Sequence, residues 1–415
     1  MSGDIGNLLA AAEAAIPDAV QIRRRIHRRP EIGLQLPETQ AVVVEELKRL
    51  GLEPGIGTAL SSVTALIEGG NPGPTLLLRG DMDALPLHEL TELDFASEVA
   101  DAMHACGHDT HVAMLLTAAR LLVERRADLH GRVLLMFQPG EEGYAGARLM
   151  LEEGLMDAPA GGAFGPVTGA FAIHISTRYA TRTINLRPGP EMASADVLIV
   201  RITGRGGHAS APHLAVDPIA VAAEIIVALQ TMITRRIDPF DPAVLTIANV
   251  IAGTTNNIIP ETAFMKGTIR AVSEETRANV AALARRVAEG IAAAHGATAE
   301  VEIEPGYPVT VNDPGFAAFV SGVAEDLLGA AAVTPLPAPI MGAEDFSYVL
   351  QRVPGSMAFL GARLPDLDAE TAPQNHSDRV IFDEDALAAG VALYAAVALR
   401  FLDGSHQRSA KPTAQ

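Results

Sequence analysis

Tryptophan is absent from this 415-residue chain and aromatic residues make up only 4% of it, so core volume has to come from Ala, Val, Leu and Ile. The single cysteine, Cys106, excludes an intramolecular disulfide and fits a reducing cytosol. Basic residues are scarce: 31 Lys and Arg stand against 50 Asp and Glu, a formal net charge of -19. That balance argues against non-specific nucleic-acid or anionic-membrane binding, since both depend on basic surface. The longest uncharged apolar run, Ala386 to Leu399, is shorter than the roughly 20 residues of a membrane span. The N-terminal apolar stretch has no basic segment before it and contains Asp4 and Glu13, unlike a secretory signal. A cytoplasmic protein with neither nucleic acid nor membrane as partner is expected.

What is present is the composition of a folded globular chain, 48% hydrophobic and 20% charged, long enough for two domains. Residues 8 to 29 read as a helix stopped by Pro30. Its basic end, Arg23 to Arg29, reads as a solvated face pairing with the protein's own acids. Pro37 to Leu50 reads as a second helix, with Gly51 as its stop. From residue 63, short aliphatic runs alternate with helices: strands at 75–78, 132–137 and 169–174, helices at 109–126 and 146–153. Such alternation implies an α/β fold, a mostly parallel sheet with helices on both faces. Sheets of this kind place their chemistry at the carboxyl ends of strands. Polar clusters occupy those places: Arg79 to Asp83, Gln138 to Gly143, and His174, which is expected to close its strand.

After Arg187-Pro188-Gly189-Pro190 the pattern changes. Strands at 196–202, 244–251, 262–272 and 299–303, with helices opened by Asp217-Pro218 and Ser273, follow the order βαββαβ of a ferredoxin-like domain. The expected organisation is a first catalytic part at 1–189, an inserted domain at 190–305, a second catalytic part at 306–402 and an unstructured polar tail at 403–415.

The stretch Met103 to His111 sets Cys106 beside His108, with Asp109 and His111 following. Alone, Cys106 reads equally well as a small buried hydrophobe. Thiolate, imidazole and carboxylate together, however, suit a borderline-soft divalent metal. Cys106, His108, Glu142, His174 and His376 are five candidate ligands from separate segments. They are too many for one tetrahedral ion with an open position and enough for two ions sharing a bridge, an arrangement that serves hydrolysis. Beside Glu142, Glu141 is placed to take a proton from water and return it to a leaving amine. Asp81 or Asp83 would orient a ligand imidazole, and His104 and His111 have at most a supporting role. The loop Gly204 to His213 lacks a phosphate-loop signature, and a histidine there could donate to a developing oxyanion.

Taken together the motifs resemble the M20 family of metallo-aminoacylases and carboxypeptidases, in its amidohydrolase branch of hippurate and indole-acetyl amino acid hydrolases. The resemblance runs from His27-Arg28-Arg29-Pro30-Glu31 through Asp81 to Pro86, Cys106 to Asp109, Glu141 to Gly143, Gly207 to His213 and Gly342 to Ser347 to Asn375-His376-Ser377. It implies Glu141 as general base, Asp83 as orienting acid, and Cys106, His108, Glu142, His174 and His376 as ligands of two divalent ions, Zn, Mn, Co or Ni. It further implies an inserted domain that acts as lid and dimerises, whose His208 supports the tetrahedral intermediate. Asn257 and Arg270 match positions that bind the substrate carboxylate, a role for which a guanidinium fork is suited. The implied reaction cleaves a small-molecule N-acyl amino acid in a dimer or tetramer of identical chains. The alternatives are a carboxypeptidase or dipeptidase of the same family, a thiol hydrolase using Cys106, and a non-catalytic metal- or ligand-binding protein. The chain departs from the usual pattern at Ile175 to Thr183, which bears on the acyl preference.

Overall fold

The computed structural model describes residues 5–157 and 164–404. The tail expected to be unstructured lies, from residue 405, outside the described residues. Two compact units divide the chain: a larger one of residues 1–189, 311–337 and 348–415, and a smaller one of 190–310 and 338–347. The smaller unit thus runs five residues past the boundary expected at 305 and also takes in 338–347.

The larger unit is an eight-stranded sheet with helices. Its first strands are β1 (Gly55–Ile56), β2 (Val63–Glu68), β3 (Asn71–Asp81), β4 (His130–Gln138), β5 (Phe164–Ala180) and β6 (Ile184–Leu186). With the strands Val333–Pro335 and Gly355–Arg363 they lie in the order β1, β2, β4, β3, β5, Gly355–Arg363, β6, Val333–Pro335. The centre is parallel: β3 with β4, β3 with β5, and β5 with Gly355–Arg363. From Thr75 to Asp81 every residue of β3 is buried, as is all of β4 after His130. Continuous aliphatic runs such as Leu76-Leu77-Leu78 therefore reflect a strand covered on both faces. β5 continues through His174 to Ala180, so His174 does not close a strand as expected. Pairing of Ile175 and Ser176 with Leu360 and Gly361 extends it.

Helices α1 (Leu8–His27), α2 (Pro37–Arg49) and α3 (His108–Glu124) belong to the same core as Leu387–Leu402. Among the described residues, two segments, Pro218–Arg236 and Glu384–Leu402, have the length and hydropathy of a membrane span, longer than the run expected from uncharged residues alone. The second is mostly buried. Its Tyr394 hydroxyl donates to Arg79 O at 2.7 Å and accepts from Ile173 N–H at 3.0 Å, joining β3 to β5 just short of their functional ends.

α1 corrects the reading of the basic run as a solvated face. Its buried positions, Leu8, Ala12, Ala15, Ala19, Arg23, Ile26 and His27, recur at helical spacing, so Arg23 and His27 lie on the apolar stripe. Arg23, 1% exposed, donates to Asp109 at 3.1 Å and to Glu384 at 2.9 Å. His27 bridges Asp109 at 2.8 Å and Glu89 at 3.2 Å. The start of α3, and with it the Cys106 segment, is thereby tied to α1. Arg24, Arg25, Arg28 and Arg29 remain at the surface in ion pairs, as expected.

In the smaller unit the strands Asp196–Thr203, Ala243–Ala252, Thr262–Ala271 and Thr298–Glu304 form an antiparallel sheet in the order Ala243–Ala252, Thr262–Ala271, Asp196–Thr203, Thr298–Glu304. Helices Pro218–Arg236 and Glu274–Ala294 complete the βαββαβ pattern. Asp217 and Ser273 cap them, accepting from Ile219 N–H and Thr276 N–H.

Burial alone would lower the pKa of His27, but Asp109 and Glu89 outweigh it and push it up to about 9. The charged imidazole therefore contributes stability that is complete below the unfolded value of about 6.5 and is lost as pH rises through about 9. The stability difference between wild type and His27→Gln, measured by urea denaturation from pH 6 to 10, is expected to shrink across that window. A difference independent of pH would contradict the assignment.

Candidate active site

Strand ends of the larger unit bring the two acidic clusters together. Met82 N–H donates to Gln138 O at 2.7 Å, holding the end of β3 against the end of β4. Asp83 follows, and its two carboxylate oxygens accept from the backbone N–H groups of Glu141 and Glu142 at 2.9 and 3.0 Å. One carboxylate thus sets the backbone that carries both glutamates. The turn between them and β4 passes through Gly140 at φ +71°, where a Cβ would lie 2.5 Å from the Leu34 side chain.

His108 is the first residue of α3, after Gly107 at φ +89°. A Cβ at Gly107 would lie 2.4 Å from Ile175 Cγ2, so the Cys-Gly-His spacing has a steric cause. The ring nitrogens of His108 face Asp81 and Asp83, each at 3.4 Å. Burial would lower its pKa, but Asp81 and Asp83 push it up to about 10, so a metal held by this ring would displace its proton. His111, one turn on, has both nitrogens committed: Nδ1 donates to Asp81, and Nε2 accepts from Ile175 N–H at 2.8 Å. It joins α3 to β5 rather than offering a ligand atom. Asp81 also pairs with Arg79; burial would raise its pKa, but Arg79, His108 and the hydrogen bond from His111 hold its carboxyl well below the usual range.

His174 Nδ1 donates to Ile175 O at 2.8 Å, which leaves Nε2 as the free lone pair, 3.4 Å from Cys106 Sγ. Burial, then neighbouring His111, pushes its pKa down to about 3, so the imidazole is neutral, as a metal ligand must be. His376 approaches from the far end of the chain. Its Nε2 is 3.3 Å from Cys106 Sγ and 3.2 Å from Glu142 Oε1. Its φ of +70° is left-handed, a strained conformation for a non-glycine residue.

The five expected ligands therefore converge in one unit. Among the described residues, three of the sets whose donor atoms lie within 4.8 Å of one another contain at least two of these ligands: Cys106, His108 and His174; Cys106, Glu142 and His376; His108, Glu141 and Glu142. Cys106, His108 and His174 are buried, Glu142 is half-buried and His376 is exposed, which leaves the cluster open on one side. Two observations test whether the residues fit a metal. Among the described residues, both His108 nitrogens and Glu142 Oε1 are buried without a well-formed hydrogen bond, their partners being ion-pair contacts to Asp81 and Asp83 at 3.4 Å and to His376 Nε2 at 3.2 Å. Burial and then the carboxylates Glu142, Glu141 and Asp81 hold the Cys106 thiol well above its usual pKa, so a thiolate there requires added positive charge. The donor set fits divalent cations.

His208, Asn257 and Arg270 belong to the smaller unit. Gly207–His208 pairs antiparallel with Ile258–Ile259. His208 Nδ1 accepts from Ser210 N–H at 3.1 Å and lies 2.7 Å from Ser210 Oγ, so in the neutral ring Nε2 carries the proton. Asn257 is exposed and its carbonyl accepts from Ala209 N–H at 3.1 Å. His208 and Asn257 line one cavity of about 620 Å³ with Arg205 and Glu261. Arg270 is half-buried, donates to Thr268 Oγ1 at 3.2 Å and is not among the residues lining that cavity. The orienting bonds of His111 and Arg79 were not read from the sequence; the i, i+3 spacing of His108 and His111 was the available signal.

The profile of Peptidase family M20/M25/M40 matches residues 77–400, and the chain belongs to this family of hydrolases. It is 41% identical over 386 residues to thermostable carboxypeptidase 2 of Saccharolobus solfataricus, covering 92% of this chain and 95% of that one. It is 39% identical over 390 residues to IAA-amino acid hydrolase ILR1-like 2 of Arabidopsis thaliana, covering 92% and 85%. The crystal structure of the Bacillus subtilis YXEP protein, described as a dinuclear metal binding peptidase from the M20 family, superposes with a TM-score of 0.80 at 34% identity, covering 94% and 99%.

Because Asp83 pins two backbone donors and faces His108, Asp83→Ala is expected to weaken divalent-metal binding by about 10- to 100-fold. Calorimetric titration of chelator-stripped protein measures this. Wild-type affinity in the variant would remove Asp83 from the site.

Proposed function

We propose that the protein is an amidohydrolase that cleaves an N-acyl amino acid to a carboxylic acid and an amino acid, using two divalent ions held by Cys106, His108, Glu142, His174 and His376. The observation that carries this reading is Glu141. It is buried beside the donor set, with its backbone held by Asp83, and it lies in one cluster with His108 and Glu142. A carboxylate additional to the ligands has the position of a general base.

When bound, the two ions would lower the pKa of water and polarise the amide carbonyl. A Glu141 carboxylate oxygen takes the proton from the attacking water and later delivers it to the leaving nitrogen. His208, with its proton on Nε2, supplies a donor to the carbonyl oxygen as negative charge develops. Arg270 binds the substrate carboxylate through its guanidinium, with Asn257 as a second polar contact. The names of the relatives support an amide whose amine product carries a free carboxylate. A carboxypeptidase is the second reading, favoured by the 41% identical relative of that name.

The proposed assembly is a homodimer in the cytoplasm. Supporting it, the edge strand Ala243–Ala252 of the smaller unit exposes Val244, Val250 and Ile251, a surface suited to pairing with a second copy.

Product release from a panel of N-acyl amino acids and dipeptides separates the two readings. Preference for the acylated substrates is expected, and preference for dipeptides would favour the carboxypeptidase. Glu141→Gln is expected to lower turnover by about 10²- to 10⁴-fold with unchanged metal content. Near wild-type turnover in that variant would overturn the assigned base.

A further inference from the structure

One side-chain amide joins the backbone of the three segments that surround the Cys106 thiol. Asn375 Nδ2 donates to Cys106 O and to Ile175 O, each at 3.0 Å, and Oδ1 accepts from Thr177 N–H at 3.4 Å. Both N–H donors of the amide are therefore spent on carbonyls at or beside candidate ligands. Ile175 O is also the acceptor for His174 Nδ1, at 2.8 Å. A carbonyl has two lone pairs, and these two bonds use both. Asn375 thus holds the carbonyl that in turn fixes the ring of His174 and directs its Nε2 at Cys106 Sγ.

The same residue immediately precedes His376. His376 sits at φ +70°, and its N–H donates to Ala105 O at 2.9 Å. Such a conformation persists only where surrounding bonds over-determine it. The amide of Asn375 on one side and the Ala105 contact on the other provide those bonds. Thr177 Oγ1 adds a further one, donating to Pro373 O at 2.8 Å. Thr177 lies in the segment where the chain departs from the usual family pattern, and the structure gives that segment a role in holding the His376 loop.

We infer that Asn375 is a positioning residue that sets the spacing of the Cys106 thiol from the Nε2 atoms of His174 and His376, 3.4 and 3.3 Å, by donating to Cys106 O and Ile175 O. The inference rests on the reading of those three residues as metal ligands. The chemistry at position 375 is restrictive. Asp would set a carboxylate oxygen against two carbonyl oxygens, Ser offers one donor for two acceptors, and Ala offers none.

The test titrates chelator-stripped wild type, Asn375→Ala and Asn375→Ser with Co(II), following affinity by calorimetry and the thiolate-to-cobalt charge-transfer band by absorption. Asn375→Ala is expected to lose about 10- to 100-fold in affinity and to change the band, with Asn375→Ser between it and wild type. Val320→Ala, a destabilising change in the helix Pro314–Leu328 away from the ligands, is expected to leave both readings unchanged, which separates positioning from general stability. If Asn375→Ala fails to fold, Asn375→Ser decides alone. Variants with wild-type affinity and band overturn the positioning role while leaving the metal site intact. Wild-type protein that takes up no cobalt overturns both.

Discussion

Negative charge and a thiol crowded at the ends of β3 and β4 set the central constraint of the larger unit. Asp81, Asp83, Glu141 and Glu142 converge on Cys106 in surroundings where an uncompensated charge is costly. The fold answers part of that demand itself. Asp81 has Arg79 and His111, and Asp83 has two backbone N–H groups. For Cys106 the neighbours work the other way: burial and the carboxylates of Glu142, Glu141 and Asp81 hold its thiol well above its usual pKa, whereas Glu142, despite burial, is held low by His376 and His108. A cation answers the demand at Cys106. The rest of the architecture, from the Tyr394 hydroxyl between β3 and β5 to the Arg23–Asp109 pair behind α3, keeps those strand ends and loops in place.

The proposed chemistry follows from adjacency. Glu141 and Glu142 are consecutive, so they share one backbone anchor, Asp83, while their side chains are assigned different tasks. His174 and His111 are made distinct in a comparable way: a carbonyl acceptor leaves His174 a lone pair, whereas a backbone donor and a carboxylate use both nitrogens of His111. Hydrogen bonds around each imidazole, rather than its identity, decide which histidines can ligate.

The α/β alternation and the strand-end clusters at Asp81 to Asp83 and Gln138 to Gly143 were legible because aliphatic runs end abruptly in Gly, Pro and acid. The βαββαβ order was legible because Asp217-Pro218 and Ser273 mark helix starts. His174 was placed at a strand end because the residues after it, Ser176-Thr177-Arg178, carry no aliphatic run; pairing with Gly355–Arg363 continues the strand regardless. Arg23 and His27 read as surface because their partners Asp109 and Glu384 lie 86 and 361 residues from Arg23, a separation that no local pattern reveals. Asn375 was visible only as the neighbour of His376, since its bonds run to backbone atoms, which have no sequence signature.

In the proposed reaction the converging donors work only with metal. The most direct measurement is amide hydrolysis by chelator-stripped protein before and after restoring Zn, Mn, Co or Ni, with bound metal counted in the same samples. No turnover is expected from stripped protein, with recovery that tracks about two equivalents of metal per chain. Full activity in protein shown to be free of metal would contradict it and would return Cys106 to consideration as a nucleophile.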